Sequence, residues 1–272
     1  MGITINGQVL RRDSFLSDGT FAKVLPQEGL ILHLDPEHKD CFPGVQVSNQ
    51  APYTSGSSTV YDLSGRGNHF TYYTNGTATT PSLSSNRFFQ FDGSTQYMSI
   101  GTDILPTDTP YTLLAWVYPI NLASQENSFP LYNTYASSSS EGFWHHYYSN
   151  GDILWRTYGD THGYITGTLS GGHGLTNGSW QMTAVTWGNN GTSNQSYFKG
   201  YKNGEFTAQT LLEAGHRNVG GKGGTIGKLN YRRVTTDYNY NGYIGLHLIY
   251  QRELSGDEIR SIYNLYRERY NI

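Results

Sequence analysis

The sequence has little cysteine, little charge and no long apolar run. Its single cysteine, Cys41, excludes an internal disulfide framework. No apolar run approaches the roughly 20 residues that a membrane-spanning helix needs. Charged residues make up 14% of the 272 residues, and the formal net charge of -3 gives no general electrostatic reason to bind nucleic acid or an anionic membrane. We therefore expect no nucleic-acid partner and no membrane insertion.

Glycine and aromatic residues are abundant instead. The chain contains 33 Gly, 23 Tyr and 11 Phe, a composition typical of many aromatic strands joined by tight turns. Short runs rich in aromatic and β-branched residues recur along the chain, and Asn203-Gly204 predicts a hairpin turn between two of them. The runs that we interpret as strands cover residues 30–34, 88–91, 97–100, 111–118, 152–155, 180–187, 196–201, 224–227 and 242–250.

The last of these strands leads directly into one short helix. Ser255 is the expected N-cap, and Glu258, three residues later, completes a capping box. Leu254 and Ile259 flank the cap as a hydrophobic staple. The apolar face of the helix consists of Ile259, Ile262, Tyr263 and Tyr266. Many strands without alternating helices predict an all-β, two-sheet antiparallel sandwich with one short C-terminal helix.

Seven segments resemble, in their order and spacing, the motifs of one family of jelly-roll domains. The family is the concanavalin A-like, laminin-G-like group, including domains found in bacteriophage and marine viral structural proteins. The resemblance covers residues 29–266 and implies the fold of a concanavalin A-like lectin or glucanase. The segments are residues 30–36, 61–69, 91–97, 111–119, 179–186, 201–205 and 242–263.

Residues 1–28 precede the resemblance, and we interpret them as an N-terminal arm for assembly or anchoring, with residues 29–272 forming the laminin-G-like domain. The arm contains two short strand-like pieces, which predict strand exchange with a neighbouring subunit and hence a homo-oligomer. No charged segment followed by an apolar core is present at residues 1–6, so we expect no signal peptide. The residues predicted to mediate assembly are Ile3, Ile5, Val9, Leu10 and Phe15.

An aromatic-rich stretch from Tyr132 to Tyr164 is the candidate carbohydrate-binding region. Aromatic faces stack on the apolar faces of sugars, while imidazole and guanidinium groups bond to the hydroxyls. Strand alternation separates Trp144 and His146 from His145, so one alternating set is expected to belong to the core. The alternative is that most of these rings pack inside the sandwich. The residues predicted to bind carbohydrate are Trp144, His146, Tyr148, Trp155, Arg156 and Tyr158.

Catalytic and metal-binding patterns are weak. A glycoside hydrolase needs two carboxylates, about 5–5.5 Å apart in retaining enzymes. Among the 21 acidic residues, only Asp35 and Glu37 have the i, i+2 spacing of one strand face, and Pro36 separates them. We predict no catalytic residue and no metal ligand. The family resemblance leaves calcium as an alternative, with Asp62 and Asp92 as oxygen donors that are equally well explained as turn formers.

Together these features predict a non-enzymatic virion structural protein on the exterior of a bacteriophage capsid or tail. Its expected partners are other virion proteins, copies of itself and cell-surface glycans, through glycan binding or host adhesion. A fold that usually works outside cells, combined with no expected secretion signal, favours this location. The alternatives are a stand-alone carbohydrate-binding module or adhesin and, less favoured, a glycoside hydrolase.

Overall fold

A computed structural model gives the architecture of the chain. Only the backbone is described at positions 3–5, 8–10, 135, 144, 146, 155–159, 163–167, 189, 212, 229 and 238. The structure describes residues 3–5, 8–10, 25–38, 40–42, 57–84, 88–106, 109–122, 130–135, 143–147, 152–159, 163–169, 175–189, 196–212, 223–229 and 238–272.

Two large antiparallel sheets confirm the predicted two-sheet sandwich. The six-stranded sheet has the order β10–β17–β8–β5–β4, with β6 also paired to β5. Its strands are β4 (Thr59–Val60), β5 (Phe70–Thr74), β6 (Thr77–Ala78), β8 (Gln96–Ile100), β10 (Asn133–Tyr135) and β17 (Gly223–Ile226). The seven-stranded sheet has the order β16–β15–β14–β9–β20–β3, with β7 also paired to β20. Its strands are β3 (Leu30–Leu34), β7 (Phe89–Asp92), β9 (Tyr111–Pro119), β14 (Gln181–Asn189), β15 (Ser196–Lys202), β16 (Glu205–Leu212) and β20 (Asn241–Tyr250).

Three smaller sets of strands are also present among the described residues. A three-stranded sheet contains β11 (Phe143–Tyr147), β12 (Ile153–Gly159) and β13 (Gly163–Leu169). Two-stranded pairs are formed by β1 (Ile3–Ile5) with β2 (Gln8–Leu10), and by β18 (Lys228–Leu229) with β19 (Tyr238–Asn239). The predicted turn between β15 and β16 is confirmed, because Asn203 and Gly204 both have positive φ, 50° and 82°.

The long strand β9 separates two hydrophobic cores. One alternating set of its side chains faces the main core between the two large sheets, and the other faces a second core on the outer face of the seven-stranded sheet. Residues of β9 in the main core are Tyr111, Leu113, Ala115 and Val117. Leu114 and Trp116 lie in the second core. A strand buried on both faces explains the continuous apolar run in this segment.

The second core is closed by the predicted C-terminal helix, α1 (Gly256–Tyr266), which is followed by a 3-10 helix (Arg267–Tyr270). The capping box is present: the Ser255 side chain accepts from the Glu258 amide, and the Glu258 carboxylate accepts from the Ser255 amide. Leu254, Ile259 and Ile262 are all buried in this core. Within the described residues, no helix is long and apolar enough to cross a bilayer.

Tyr270 packs the end of the chain against Gly245-Leu246 of β20. Its ring stacks on Trp116, with centroids 5.3 Å apart and planes at 18°. Its hydroxyl accepts a hydrogen bond from the Leu246 amide at 2.8 Å. A side chain at position 245 would collide with this hydroxyl. Gly245 therefore allows the end of the chain to pack onto β20.

Candidate functional site

The three-stranded sheet that carries most of the predicted carbohydrate-binding residues is fixed to the sandwich by buried polar groups. The amide of Phe143 donates to the Thr134 hydroxyl at 2.7 Å, and the amide of His145 donates to the Asn133 side-chain oxygen at 2.7 Å. The hydroxyls of Tyr147 and Thr183 share a further bond of 2.6 Å. Because these groups are buried, each bond also avoids the cost of an unpaired polar atom. Strand β11 is therefore tied to β10 and to the seven-stranded sheet.

Aromatic stacking adds to this attachment. The Tyr111 ring is stacked between Phe143 and Trp187, with centroid distances of 5.1 and 6.0 Å. The His145 ring meets Tyr111 edge-on at 6.0 Å. Phe143, His145 and Tyr147 are each fully buried. This confirms the expectation that one of the two alternating sets in β11 belongs to the core.

The backbone register brings together some of the predicted carbohydrate-binding positions and separates others. Trp144 and Arg156 are direct cross-strand partners. Trp155 pairs instead with His145, which places position 155 on the other face of the small sheet. Leu154, the partner of His146, is itself buried. Tyr148, and the side chains of Trp144, His146, Trp155, Arg156 and Tyr158, lie outside the described residues, so their role stays a prediction.

The acid pair with strand spacing is committed to an ion pair. Arg269 donates to both oxygens of Asp35, at 2.6 and 2.9 Å, and its Nε lies 3.0 Å from a Glu37 oxygen. Burial alone would raise the pKa of Asp35, but the hydrogen bonds and charge of Arg269 hold that pKa below its usual range. A carboxyl group with a lowered pKa is ionised at neutral pH and has no proton to donate as a general acid. The arrangement joins the end of β3 to the C-terminal segment.

The two candidate calcium donors act as turn formers. One Asp62 oxygen accepts from the amides of His33 and Ser64, at 3.0 and 2.8 Å. The other accepts from the Ser64 hydroxyl and the Asn68 amide, at 2.7 and 3.0 Å. Asp92 likewise accepts from three amides of the turn that follows it. Among the described residues, no group of three or more His, Cys, Asp or Glu side chains is placed to hold a metal ion.

The sequence analysis missed an aromatic ladder on the outer face of the six-stranded sheet. Tyr73 of β5 and Tyr97 of β8 are cross-strand partners, and their rings stack with centroids 5.0 Å apart and planes at 9°. The Lys228 ammonium lies over the Tyr97 ring, 4.9 Å from its centroid. Strand β5 was not among the predicted strands. Its alternation of buried Phe70 and Tyr72 with less buried neighbours is the signal that could have revealed it.

The fold is shared with several solved binding domains. The binding domain of botulinum neurotoxin serotype D/C aligns with a TM-score of 0.58 and 13% identity, over 88% of this chain and 52% of that chain. Botulinum neurotoxin type C, whose cell entry depends upon interaction with two ganglioside molecules, gives a TM-score of 0.59 and 16% identity, over 88% of this chain and 51% of that chain. The chain thus spans about half the length of the toxin chains it matches.

A third similar structure is closer to this chain in size. It is domain 4 of AbnA, an extracellular arabinanase from Geobacillus stearothermophilus, in complex with arabinotriose. Its TM-score is 0.55 and its identity 16%, over 86% of this chain and 97% of that chain. At such identities these likenesses establish the fold alone.

Sequence comparison gives the family. No curated protein matches the chain. A family model matches residues 92–260, more than half of the sequence, and it describes the concanavalin A-like lectin/glucanases superfamily. The protein belongs to the concanavalin A-like lectin/glucanases superfamily.

Proposed function

We propose that the protein is a non-enzymatic glycan-binding domain. The observation that carries this proposal is its membership of a superfamily of lectins and glucanases. Within such a superfamily, the choice lies between binding a carbohydrate and cleaving it. Two of the similar structures are associated with carbohydrate, one with gangliosides and one with arabinotriose. Both of these are binding relationships, which favours a lectin-like role for this chain.

The carboxylates favour binding over cleavage. Hydrolysis needs one carboxyl group that can hold a proton and a second one that stays ionised beside it. Asp35 and Glu37 share one arginine, and the pKa of Asp35 is lowered rather than raised. A low pKa suits an ion pair and opposes the role of general acid at neutral pH. The acid pair is thus better explained as a support for the C-terminal segment.

A glycan array with the full chain tests this proposal. We expect binding to at least one group of oligosaccharides and no change in their length after prolonged incubation. The Trp144→Ala and Arg156→Ala variants test whether the predicted positions on β11 and β12 take part in binding. If they do, loss of one stacking ring should weaken binding about twofold to tenfold, whereas unchanged binding would exclude these positions and leave the proposed function intact. Phe206→Ala is the matched control, since Phe206 is an aromatic residue that is 55% exposed at the start of β16, beside the Asn203-Gly204 turn. Cleavage products, or a chain that binds nothing on the array, would overturn the proposal.

The location that we propose is the exterior of a bacteriophage capsid or tail, in contact with other virion proteins and copies of the chain. Its support is the sequence resemblance and the arm over residues 1–28. Strands β1 and β2 of the arm pair with each other, Ile3 opposite Leu10. The side chains predicted for assembly, Ile3, Ile5, Val9 and Leu10, together with Phe15, lie outside the described residues.

Deleting the arm tests the assembly role. Leu25 is buried in the second core, and the Tyr250 hydroxyl donates to the Pro26 carbonyl at 3.1 Å. A deletion should therefore end at residue 24, so that these contacts remain. We expect a defined oligomer for the full chain and a folded monomer for the shortened one by light scattering. An oligomer of unchanged mass after the deletion would contradict a role for the arm.

A further inference from the structure

The outer face of the six-stranded sheet carries a polar and aromatic surface. Phe70 and Tyr72 of β5 and Met98 of β8 point into the main core and are buried. The residues between them therefore point outwards, and Thr71, Tyr73, Tyr97 and Ser99 are all half-buried. We define these four residues, with Thr59, Ala78 and Lys228, as the tyrosine face.

Two parallel rows form this face. In the first row, Thr59, Thr71 and Ser99 are consecutive cross-strand partners over three strands. The Ser99 hydroxyl donates to the Gly224 carbonyl at 3.2 Å, which leaves its lone pairs as acceptors. The hydroxyls of Thr59 and Thr71 have no hydrogen-bond partner among the described residues. This row offers donors and acceptors of the kind that sugar hydroxyls use.

The second row is the ladder of Lys228, Tyr97 and Tyr73. One face of the Tyr73 ring is covered by Tyr97. On the other side, the cross-strand partner of Tyr73 is Ala78, on the two-residue strand β6 whose residues are both exposed. Among the described residues, a single methyl group therefore lies beside the second face of the Tyr73 ring. A pyranose can stack on this face, with its hydroxyls directed along the neighbouring row.

Lys228 gives the ladder its charge. Its ammonium lies above Tyr97 at the end of the row opposite Ala78. The row spans two strand spacings, about 10 Å, which corresponds to more than one linked sugar. An anionic group carried by a sugar at this end would meet the ammonium, while a second sugar reached Tyr73. The Lys228 ammonium and the Tyr73 ring therefore lie at opposite ends of the second row.

We propose that the tyrosine face binds an anionic oligosaccharide, carboxylated or sulfated, that lies across β5 and β8. One sugar ring stacks on Tyr73 above Ala78, the hydroxyls of Thr59, Thr71 and Ser99 bond to the sugar hydroxyls, and Lys228 pairs with the anionic group. The inference rests on the proposed function, but it places binding away from the positions on β11 and β12.

The test is an array of sialylated, uronate-containing, sulfated and neutral oligosaccharides, followed by calorimetric titration of the full chain with the tightest binder. We expect anionic oligosaccharides to bind best. Tyr73→Ala should weaken their binding about twofold to tenfold, and Lys228→Gln should remove the preference for anionic over neutral forms. Ala78→Phe provides a second route, because it fills the space beside Tyr73 at an exposed position and leaves both tyrosines in place. It should weaken binding to a similar extent.

Tyr243→Ala is the matched control. Tyr243 is also half-buried and also pairs across strands with a tyrosine, Tyr118, but on the seven-stranded sheet. The Tyr243→Ala variant should bind the anionic oligosaccharide with the affinity of the wild type. Wild-type affinity in Tyr73→Ala, Ala78→Phe and Lys228→Gln would overturn this inference while leaving the proposed function intact, as would binding of neutral oligosaccharides alone. A wild-type chain that binds nothing on the array would overturn both.

Discussion

The two large sheets differ in how their outer faces are covered. On the seven-stranded sheet, Trp116 and Leu248 are fully buried in the core that α1 and the 3-10 helix close. On the six-stranded sheet, Tyr73 and Tyr97 are only half-buried. The first face is made of large apolar side chains, and the second combines tyrosines with threonine and serine hydroxyls. Burying hydroxyls without partners is unfavourable, while tyrosine tolerates contact with both water and apolar surfaces. One sheet face therefore contributes to stability, whereas the composition of the other face suits the ligand that we propose.

The largest expected change in the free energy of unfolding comes from breaking the ion pair between Arg269 and the Asp35 and Glu37 carboxylates. Arg269→Ala leaves Asp35 and Glu37 beside each other without their cation. Breaking a largely buried ion pair in this way should lower the free energy of unfolding by about 3 kcal/mol. Urea unfolding measures it, and Arg260→Ala is the control, since the Arg260–Glu205 pair is exposed and should contribute nothing measurable. Equal stability of the two variants would mean that the C-terminal segment is not held by Arg269.

The next effect is a loss of folding stability at acidic pH. His247 of β20 is fully buried, and neither ring nitrogen has a hydrogen-bond partner among the described residues. Burial lowers its pKa to about 3. Because the unfolded histidine takes up its proton near its ordinary pKa, stability present at pH 7 is lost as the pH falls below about 6.5, by roughly 2 kcal/mol at pH 5.

Replacing His247 with leucine should remove this part of the acid dependence. Stability of His247→Leu measured at pH 7 and pH 5 should fall less than that of the wild type, by the same roughly 2 kcal/mol. Asp35 still contributes at lower pH, because its lowered pKa gives stability that is lost only as the pH falls through that value. Parallel pH profiles for wild type and His247→Leu would show that the histidine is not neutral in the folded protein.

A smaller effect is expected at the start of the helix. Ser255→Ala removes the hydroxyl that caps the Glu258 amide and should cost about 1 kcal/mol. Ser261→Ala is the control within the same helix, because Ser261 is exposed and alanine is the better helix former. Thermal unfolding of the two variants should therefore move in opposite directions. A drop of the same size in both would argue against the cap as the cause.

The smallest effect on stability is expected on the tyrosine face. Tyr73→Ala removes one cross-strand stacked pair from a half-buried position, so the free energy of unfolding should fall by less than about 1 kcal/mol. Trp116→Ala should lower the free energy of unfolding by about 3 kcal/mol or more, because Trp116 is fully buried. Similar losses for the two variants would mean that both outer faces serve stability alike.

Local signals explain which parts of the fold could be predicted from the sequence. The capping box at Ser255 and the apolar face of α1 lie within a dozen residues, and both are confirmed. The strand β9 was visible as an unbroken apolar run. Strand β5, Phe70–Thr74, was not predicted, because it directly follows the segment 61–69, in which Asp62 was considered only as a calcium donor or a turn former.

Long-range pairs explain what could not be predicted. Asp35 and Arg269 are 234 residues apart in sequence, and nothing near either residue indicates the other. Tyr73 and Tyr97 become neighbours only through the register of β5 and β8. The carbohydrate-binding prediction followed local aromatic density, whereas one alternating set of that stretch, including His145, turned out to be core. A surface assembled from separate strands needs the sheet order as well as the residues.

Hydrogen-exchange footprinting of the full chain with the tightest-binding oligosaccharide distinguishes the roles of the two outer sheet faces. We expect slower exchange in the segments 71–79 and 96–99 and no change in 256–270, where the second core is already closed. Protection confined to β11 and β12, or to the helical side of the molecule, would contradict the division of roles between the two sheet faces.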